Sequence, residues 1–307
     1  MNDPNRENIQ EKATPRRLFL QALAAVGSGA ALATGGMELL DGTSAQAAEI
    51  PPPLTEPVGN LLVRMQRELE QSLSTGRPQW LMVVDTRKCI GCDACTIACK
   101  AENPTGPGVG FRRVIKRELP VGPRPWVIFK PINCLQCDDA PCAKAVPQGM
   151  IRKRPDGIVE FDSDRLRGAY AQAAMRACPL NQIHVDDGKT YTYDTPQPQE
   201  YEERLFFENG KWQTRKPRAS QLPDSARKCN FCSHLVEAGA LPACVSTCIG
   251  GVMYFGDANL RGSLVNEVTQ GRRIFKHHND MGLKPRVIYF EESMPDTPHL
   301  DCNACHY

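Results

Sequence analysis

Residues 89–100 carry four thiols, Cys89, Cys92, Cys95 and Cys99, in the spacing C-x2-C-x2-C-x3-C. No other stretch restricts the fold as much. A thiol at every third residue asks for a tight loop with its sulfurs turned towards one point. Such a loop fits around one corner of a cubane iron–sulfur cluster. Zinc sites take paired C-x2-C knuckles in place of a run of four, and disulfides are the other alternative. In the run of four, the first three thiols hold one cluster and the fourth reaches across to a second. A partner stretch is therefore expected elsewhere in the chain.

Three further regions supply thiols. Cys134, Cys137 and Cys142 follow C-x2-C-x4-C, and Val146, before Pro147, stands where a fourth thiol is expected. Residues 164–179 keep only Cys178, before Pro179, while Leu166 and Ala169 occupy the places of early thiols. Cys229, Cys232, Cys244 and Cys248 follow C-x2-C-x11-C-x3-C, and the long gap predicts a larger, solvent-facing loop. Apolar periodicity predicts a helix over residues 61–73, with Leu61, Met65, Leu69 and Leu73 on one face. Residues 80–84 and 157–161 read as strands.

Residues 1–47 read as an export signal. Arg16-Arg17-Leu18-Phe19 resembles the twin-arginine pattern, a glycine-interrupted apolar stretch follows, and Ala45-Gln46-Ala47 offers small residues for cleavage. A retained anchor is the alternative, and Glu38 with the glycines makes a poor membrane span. Exported chains usually use cysteine for disulfides. Clusters must instead be inserted before export, and the twin-arginine route carries folded, loaded proteins. The two features explain each other, and the expected location is the periplasm.

With 37 basic and 35 acidic residues among 307, the chain gives no reason to expect nucleic acid or an anionic lipid surface as partner. Its 25 prolines and 24 glycines predict short elements between loops. No phosphate loop or nucleophile–base pair stands out, so no substrate site and no catalytic activity of its own are expected.

The cysteine regions, with Tyr254-Phe255-Gly256-Asp257 and Lys284-Pro285-Arg286-Val287-Ile288-Tyr289, carry a resemblance over residues 80–291. The chain resembles the four-cluster electron-transfer subunits that accompany molybdopterin and membrane quinone oxidoreductases. The resemblance implies an α+β fold of two interleaved ferredoxin-like units with long loops. Regions one and four form one unit, and regions two and three the other. On that resemblance, Cys89, Cys92, Cys95 and Cys248 hold one [4Fe–4S] cluster. Cys229, Cys232, Cys244 and Cys99 hold a second, and Cys134, Cys137, Cys142 and Cys178 a third. The four thiols a fourth cluster needs are the four that are missing. A three-iron cluster ending at Cys142 is the alternative, against which Cys178-Pro179 speaks. Lys100 and Ile249 depart from the family, whose loops often carry proline there.

Export with three clusters is most similar to the periplasmic iron–sulfur subunits of transmembrane complexes associated with dissimilatory sulfite reductase. The implied partners are an integral membrane quinone-reactive subunit and a multihaem cytochrome c, at the outer face of the cytoplasmic membrane. Two alternatives stay open. One is the same module serving an exported molybdopterin reductase of the dimethyl sulfoxide reductase family. The other is a redox-inert zinc or disulfide scaffold.

The domain organisation that follows is a signal over 1–47, a lead over 48–79, the cluster domain over 80–291 and a tail over 292–307. Within the cluster domain, residues 189–227 form an insert, in which Asn209-Gly210 between apolar runs predicts a β-hairpin. The hairpin reads either as a tolerated insertion or as a docking arm for a partner. The tail ends Cys302-Asn303-Ala304-Cys305-His306, the c-type haem attachment pattern, with a disulfide as the alternative. A second axial ligand would come from His299, His277, His278, Met294 or another chain. His184 and His234 read as packing or surface residues.

Overall fold

Leu61, Met65 and Leu69 recur every fourth residue, and the chain from Val58 to Thr75 coils into one helix that buries all three. Leu73 is partly buried on the same face. A computed structural model of the chain describes residues 58–119, 126–189, 200–208, 210–214, 223–271, 274–276 and 281–290. The signal segment, Tyr191, Tyr193, Asn209, His277, His278, Met294, His299 and the Cys302–Cys305–His306 motif lie outside the described residues.

The helix lies on a four-stranded sheet ordered Met253–Asp257, Trp80–Val84, Val287–Phe290 and Ile274–Phe275. Trp80–Val84 runs antiparallel to Met253–Asp257, with Trp80 opposite Asp257, and parallel to Val287–Phe290, with Met82 opposite Val287. The central strands are apolar nearly throughout and buried on both faces, as the continuous runs WLMVV and VIYF require. Trp80 stacks on Phe255 with ring centroids 5.4 Å apart, and the Phe255 N–H donates to the Met65 sulfur at 3.2 Å. Each fully buried Leu, Met or Phe stabilises this layer by roughly 1.5–3 kcal/mol.

A second, smaller core lies under the middle of the chain. Val146, Met150, Ile151, Val159, Phe161, Leu166, Ala171, Ala174 and Ile183 close it, with Cys142 at its edge. The hairpin Ile151–Lys153 with Val159–Phe161 forms one wall, and the helix Gly168–Ala177 another. Gly157 turns that hairpin at φ +90°, so the strand begins at Val159, two residues later than the apolar pattern suggests. Val146 and the fully buried Leu166, both standing where thiols are missing, meet in this core. Ala169 lies in the first turn of the Gly168–Ala177 helix. Helix and strand are mixed throughout, an α+β arrangement of short elements.

The insert forms the hairpin Phe206–Glu208 with Lys211–Gln213 around Gly210 at φ +81°, after a short helix Glu200–Glu203. Phe206 and Glu208 are buried; Trp212 and Leu205 are exposed. Glu208 anchors the hairpin to the body of the fold through Arg227, which also meets Asp186 at 2.9 Å and the Pro104 carbonyl at 2.8 Å. The Arg227 guanidinium lies between the rings of Phe111 and Phe206, 5.2 and 5.1 Å from their centroids. The Cys232–Cys244 gap is not an open loop. Residues Ser233–Glu237 make a helical turn whose Val236 is buried, and His234 pairs with Glu102 at 2.8 Å. The apolar Val236 and Leu241 pull that gap into the core.

Candidate metal centre

All twelve cysteines among the described residues are free thiols. They stand in three sets of four. Cys89, Cys92, Cys95 and Cys248 line one space, walled by Val114, Pro131, Val252 and Met253. Cys134, Cys137, Cys142 and Cys178 line another, walled by Pro141, Pro179, Leu180 and Leu283. The Cys99 thiol of the remaining set is pushed up by burial and then by Cys232, Cys229 and Cys244 beside it.

The local backbone explains the inward-facing sulfurs. The first loop turns through Gly91 at φ +72° and Asp93 at φ +56° before the helix Ala94–Glu102 carries Cys95 and Cys99 inward. A Cβ on Gly91 would stand 2.3 Å from the Phe129 ring, so both the turn and the packing demand glycine. Gln136, Phe231 and Cys232 adopt the same left-handed conformation in the other loops. Turns of this kind aim successive N–H groups into a concavity that favours anions. Backbone N–H groups of Phe231, Gln182 and Val252 donate to the sulfurs of Cys229, Cys178 and Cys248 at 3.5, 3.4 and 3.4 Å. Asn103 donates to Cys232 Sγ at 3.4 Å, and Asn133 to Cys229 Sγ at 3.7 Å.

The electrostatics ask for a cationic occupant. Burial, then the neighbouring thiolates, pushes the Cys137 and Cys142 thiols up to about 12 and that of Cys95 to about 11. Left alone at neutral pH these sulfurs stay protonated; a bound metal removes the proton outright. Beside Cys95 lies Arg112, 1% exposed, whose Nη2 reaches Cys244 Sγ at 3.5 Å and Met82 Sδ at 3.0 Å. Its Nε and Nη1 have no partner among the described residues. A buried guanidinium facing neutral thiols is poorly compensated; facing metal thiolates and sulfide it is paired. A single zinc would draw four sulfurs to within about 3.8 Å of one another at its usual bond length. Among the described residues no three Cys, His, Asp or Glu side chains converge tightly enough to hold one ion. The spaces suit a larger polynuclear group.

A 4Fe-4S dicluster domain description matches residues 126–194 and 214–258, the two blocks on either side of the insert. The B subunit of selenate reductase from Mesobacillus selenatarsenatis is 36% identical over 290 residues, covering 91% of this chain and 98% of that one. The iron–sulfur B subunit of a putative dimethyl sulfoxide reductase from Halobacterium salinarum is 30% identical, over 69% of this chain and 79% of its own. This chain belongs to the family of iron–sulfur B subunits of reductases. The tetrathionate reductase B subunit of Salmonella typhimurium, 28% identical over 72% of this chain and 75% of its own, is a further member. Membership of this family fits a chain whose chemistry-bearing side chains are free cysteines gathered from distant loops.

Two departures from the family pattern have visible consequences. Lys100 follows Cys99 and turns its ammonium to Thr105 Oγ1 at 3.0 Å and to the Val109 carbonyl, fastening the loop that a proline would stiffen. Ile249 follows Cys248 and is 64% exposed. Arg112, Lys228 and Asn103 carry no motif; each is a single polar residue whose burial only the long-range packing creates.

Proposed function

We propose that this chain relays electrons through three [4Fe–4S] clusters as the exported iron–sulfur subunit of a reductase complex. The ligand sets are Cys89, Cys92, Cys95 and Cys248; Cys99, Cys229, Cys232 and Cys244; and Cys134, Cys137, Cys142 and Cys178. Pairing distant loops in this way makes two interleaved ferredoxin-like units. Bound clusters supply one-electron chemistry with little movement of the frame. The carrying observation is that the sets stand in a row. Cys95 of the first faces Cys244 of the second, and Cys229 of the second faces Cys134 of the third. The middle set holds the buried Cys99, Cys232 and Cys244, while Cys92 of the first is exposed. Charge can therefore enter near one surface, cross a buried centre and leave near another.

The export signal supports the periplasm as location. The names of the relatives support a catalytic reductase subunit, of the molybdopterin class, as one partner, with an integral membrane quinone-reactive subunit as the other. Among the described residues no helix is long and apolar enough to cross a membrane. The count of three clusters favours a second reading, the sulfur-metabolism complex associated with dissimilatory sulfite reductase, with a multihaem cytochrome c at hand. In either reading Cys302 and Cys305 take a c-type haem after export, with His306 as axial ligand.

Isolation of the native complex tests all of this. About twelve iron and twelve sulfide per chain, with a molybdenum-containing subunit, supports the first reading. A quinone subunit and a cytochrome c without molybdenum supports the second. Colourless, zinc-only protein overturns both. A pyridine haemochrome spectrum of the denatured chain decides between haem and disulfide in the tail.

A further inference from the structure

Two buried cations lie along the row of thiols, and neither pairs with a carboxylate among the described residues. Arg112 stands between the first and second sets. It touches Cys244, and its charge is felt at Cys95, Cys229 and Cys99 as well. Its Nε and Nη1 are orphaned. Lys228 stands between the second and third sets. Its ammonium, on a residue 4% exposed, donates to the carbonyls of Cys229 at 2.9 Å and Val159 at 2.6 Å, and to Gln136 Oε1 at 3.4 Å. It lies 5.0 Å from the Phe161 ring centroid, and its charge reaches Cys142 and Cys178. Lys153, also near the third set, is different: its side chain is 29% exposed, and it shares the Asp138 carboxylate with Arg286, at 2.8 and 2.5 Å.

We propose that Arg112 and Lys228 are junction cations, which set the reduction potentials of the clusters on either side of them and hold those clusters in place. The proposal rests on the three-cluster reading above. Reduction adds one electron and no proton, so each site gains one negative charge. A fixed cation in a medium of low dielectric stabilises that added charge far more than it would in water. Both sites flanking a junction feel the same cation, so their potentials rise together. Two unpartnered guanidinium nitrogens beside the cluster spaces are also free to donate to inorganic sulfide. Arginine suits this place because its delocalised charge is weakly hydrated and its planar fork offers several donors. At the other junction three oxygen acceptors hold the lysine side chain in place.

The test is a redox titration of the whole chain, dithionite-reduced and followed by EPR, with iron counted in every sample. Arg112→Gln is expected to cut the equilibrium constant for reduction at least tenfold at the first and second clusters, a fall of about 59 mV or more for one electron. The third should stay put. Lys228→Met is expected to move the third most and the first not at all. Arg112→Lys and Lys228→Arg keep the charge and should restore most of each shift. If Arg112→Gln loses a cluster that Arg112→Lys retains, the charge is holding the cluster, which supports the proposal. Unmoved potentials in fully loaded variants overturn it, as do equal shifts at all three clusters or charge-keeping variants that behave like the neutral ones. Wild-type protein without three clusters would instead sink the three-cluster reading itself.

Discussion

At the scale of single residues, the thiols were legible and their charged company was not. Cysteine spacing is a local covalent rule: three closely spaced sulfurs can face one point whatever the rest of the chain does. Arg112 offers no such signal. In sequence it is one of two adjacent arginines, and only the approach of Cys244, 132 residues away, buries it. Cys178 is likewise alone in its region, yet it completes the space lined by Cys134, Cys137 and Cys142. Cys178→Ser should therefore remove about a third of the iron and leave the other two EPR signals intact. Retention of all the iron would contradict the third ligand set.

His184 gives a second test at this scale. Burial, and then the charges of Arg113, Arg227 and Lys100, depresses its pKa from 6.5 to about 4, against a raising backbone bond with Gly110. Between those values the unfolded chain binds a proton and the native chain does not. Stability is thus full above pH 6.5 and falls as pH drops towards 4. At about pH 5 the loss is about 1–2 kcal/mol. His184→Phe, which keeps the stacking on Phe111, should flatten the urea-midpoint profile between about pH 7.5 and 5.

Elements tell a mixed story. The Val58–Thr75 helix and the Trp80–Val84 strand follow from their apolar periods, because burial of one face decides both. The Cys232–Cys244 connection reads as a solvent loop by length alone, and Val236 with Leu241 turns it inward. The insert hairpin is legible from Asn209-Gly210, but its anchorage is not. Arg227, Asp186 and Glu208 lie far apart in the chain, and only the fold brings them together. Arg227→Met would remove the cation that faces the buried carboxylates of Glu208 and Asp186. The expected cost is about 3–5 kcal/mol. Differential scanning calorimetry reads that loss, and limited proteolysis should find new cuts within residues 200–214.

At the scale of the whole molecule, the three thiol sets, loaded as proposed, would act as internal cross-links in a chain of short elements. Each set ties loops that are distant in sequence, from Cys89 to Cys248 at the widest. Metal binding of this kind is also folding free energy. Stripping iron with ferricyanide and a chelator should abolish cooperative unfolding, seen as loss of the thermal transition by circular dichroism. An unchanged transition would mean that the two apolar cores suffice alone.

The hydrocarbon around Val146 and Leu166 fills the place where a further cluster would extend the row, and Cys142 borders it directly. Saturated side chains are an insulator. On the proposed relay, this hydrocarbon would close the interior route beyond the third thiol set, leaving the space walled by Pro141, Leu180 and Leu283 for exchange with a partner. A longer relay could not be rebuilt there without taking Val146 and Leu166 out of the core.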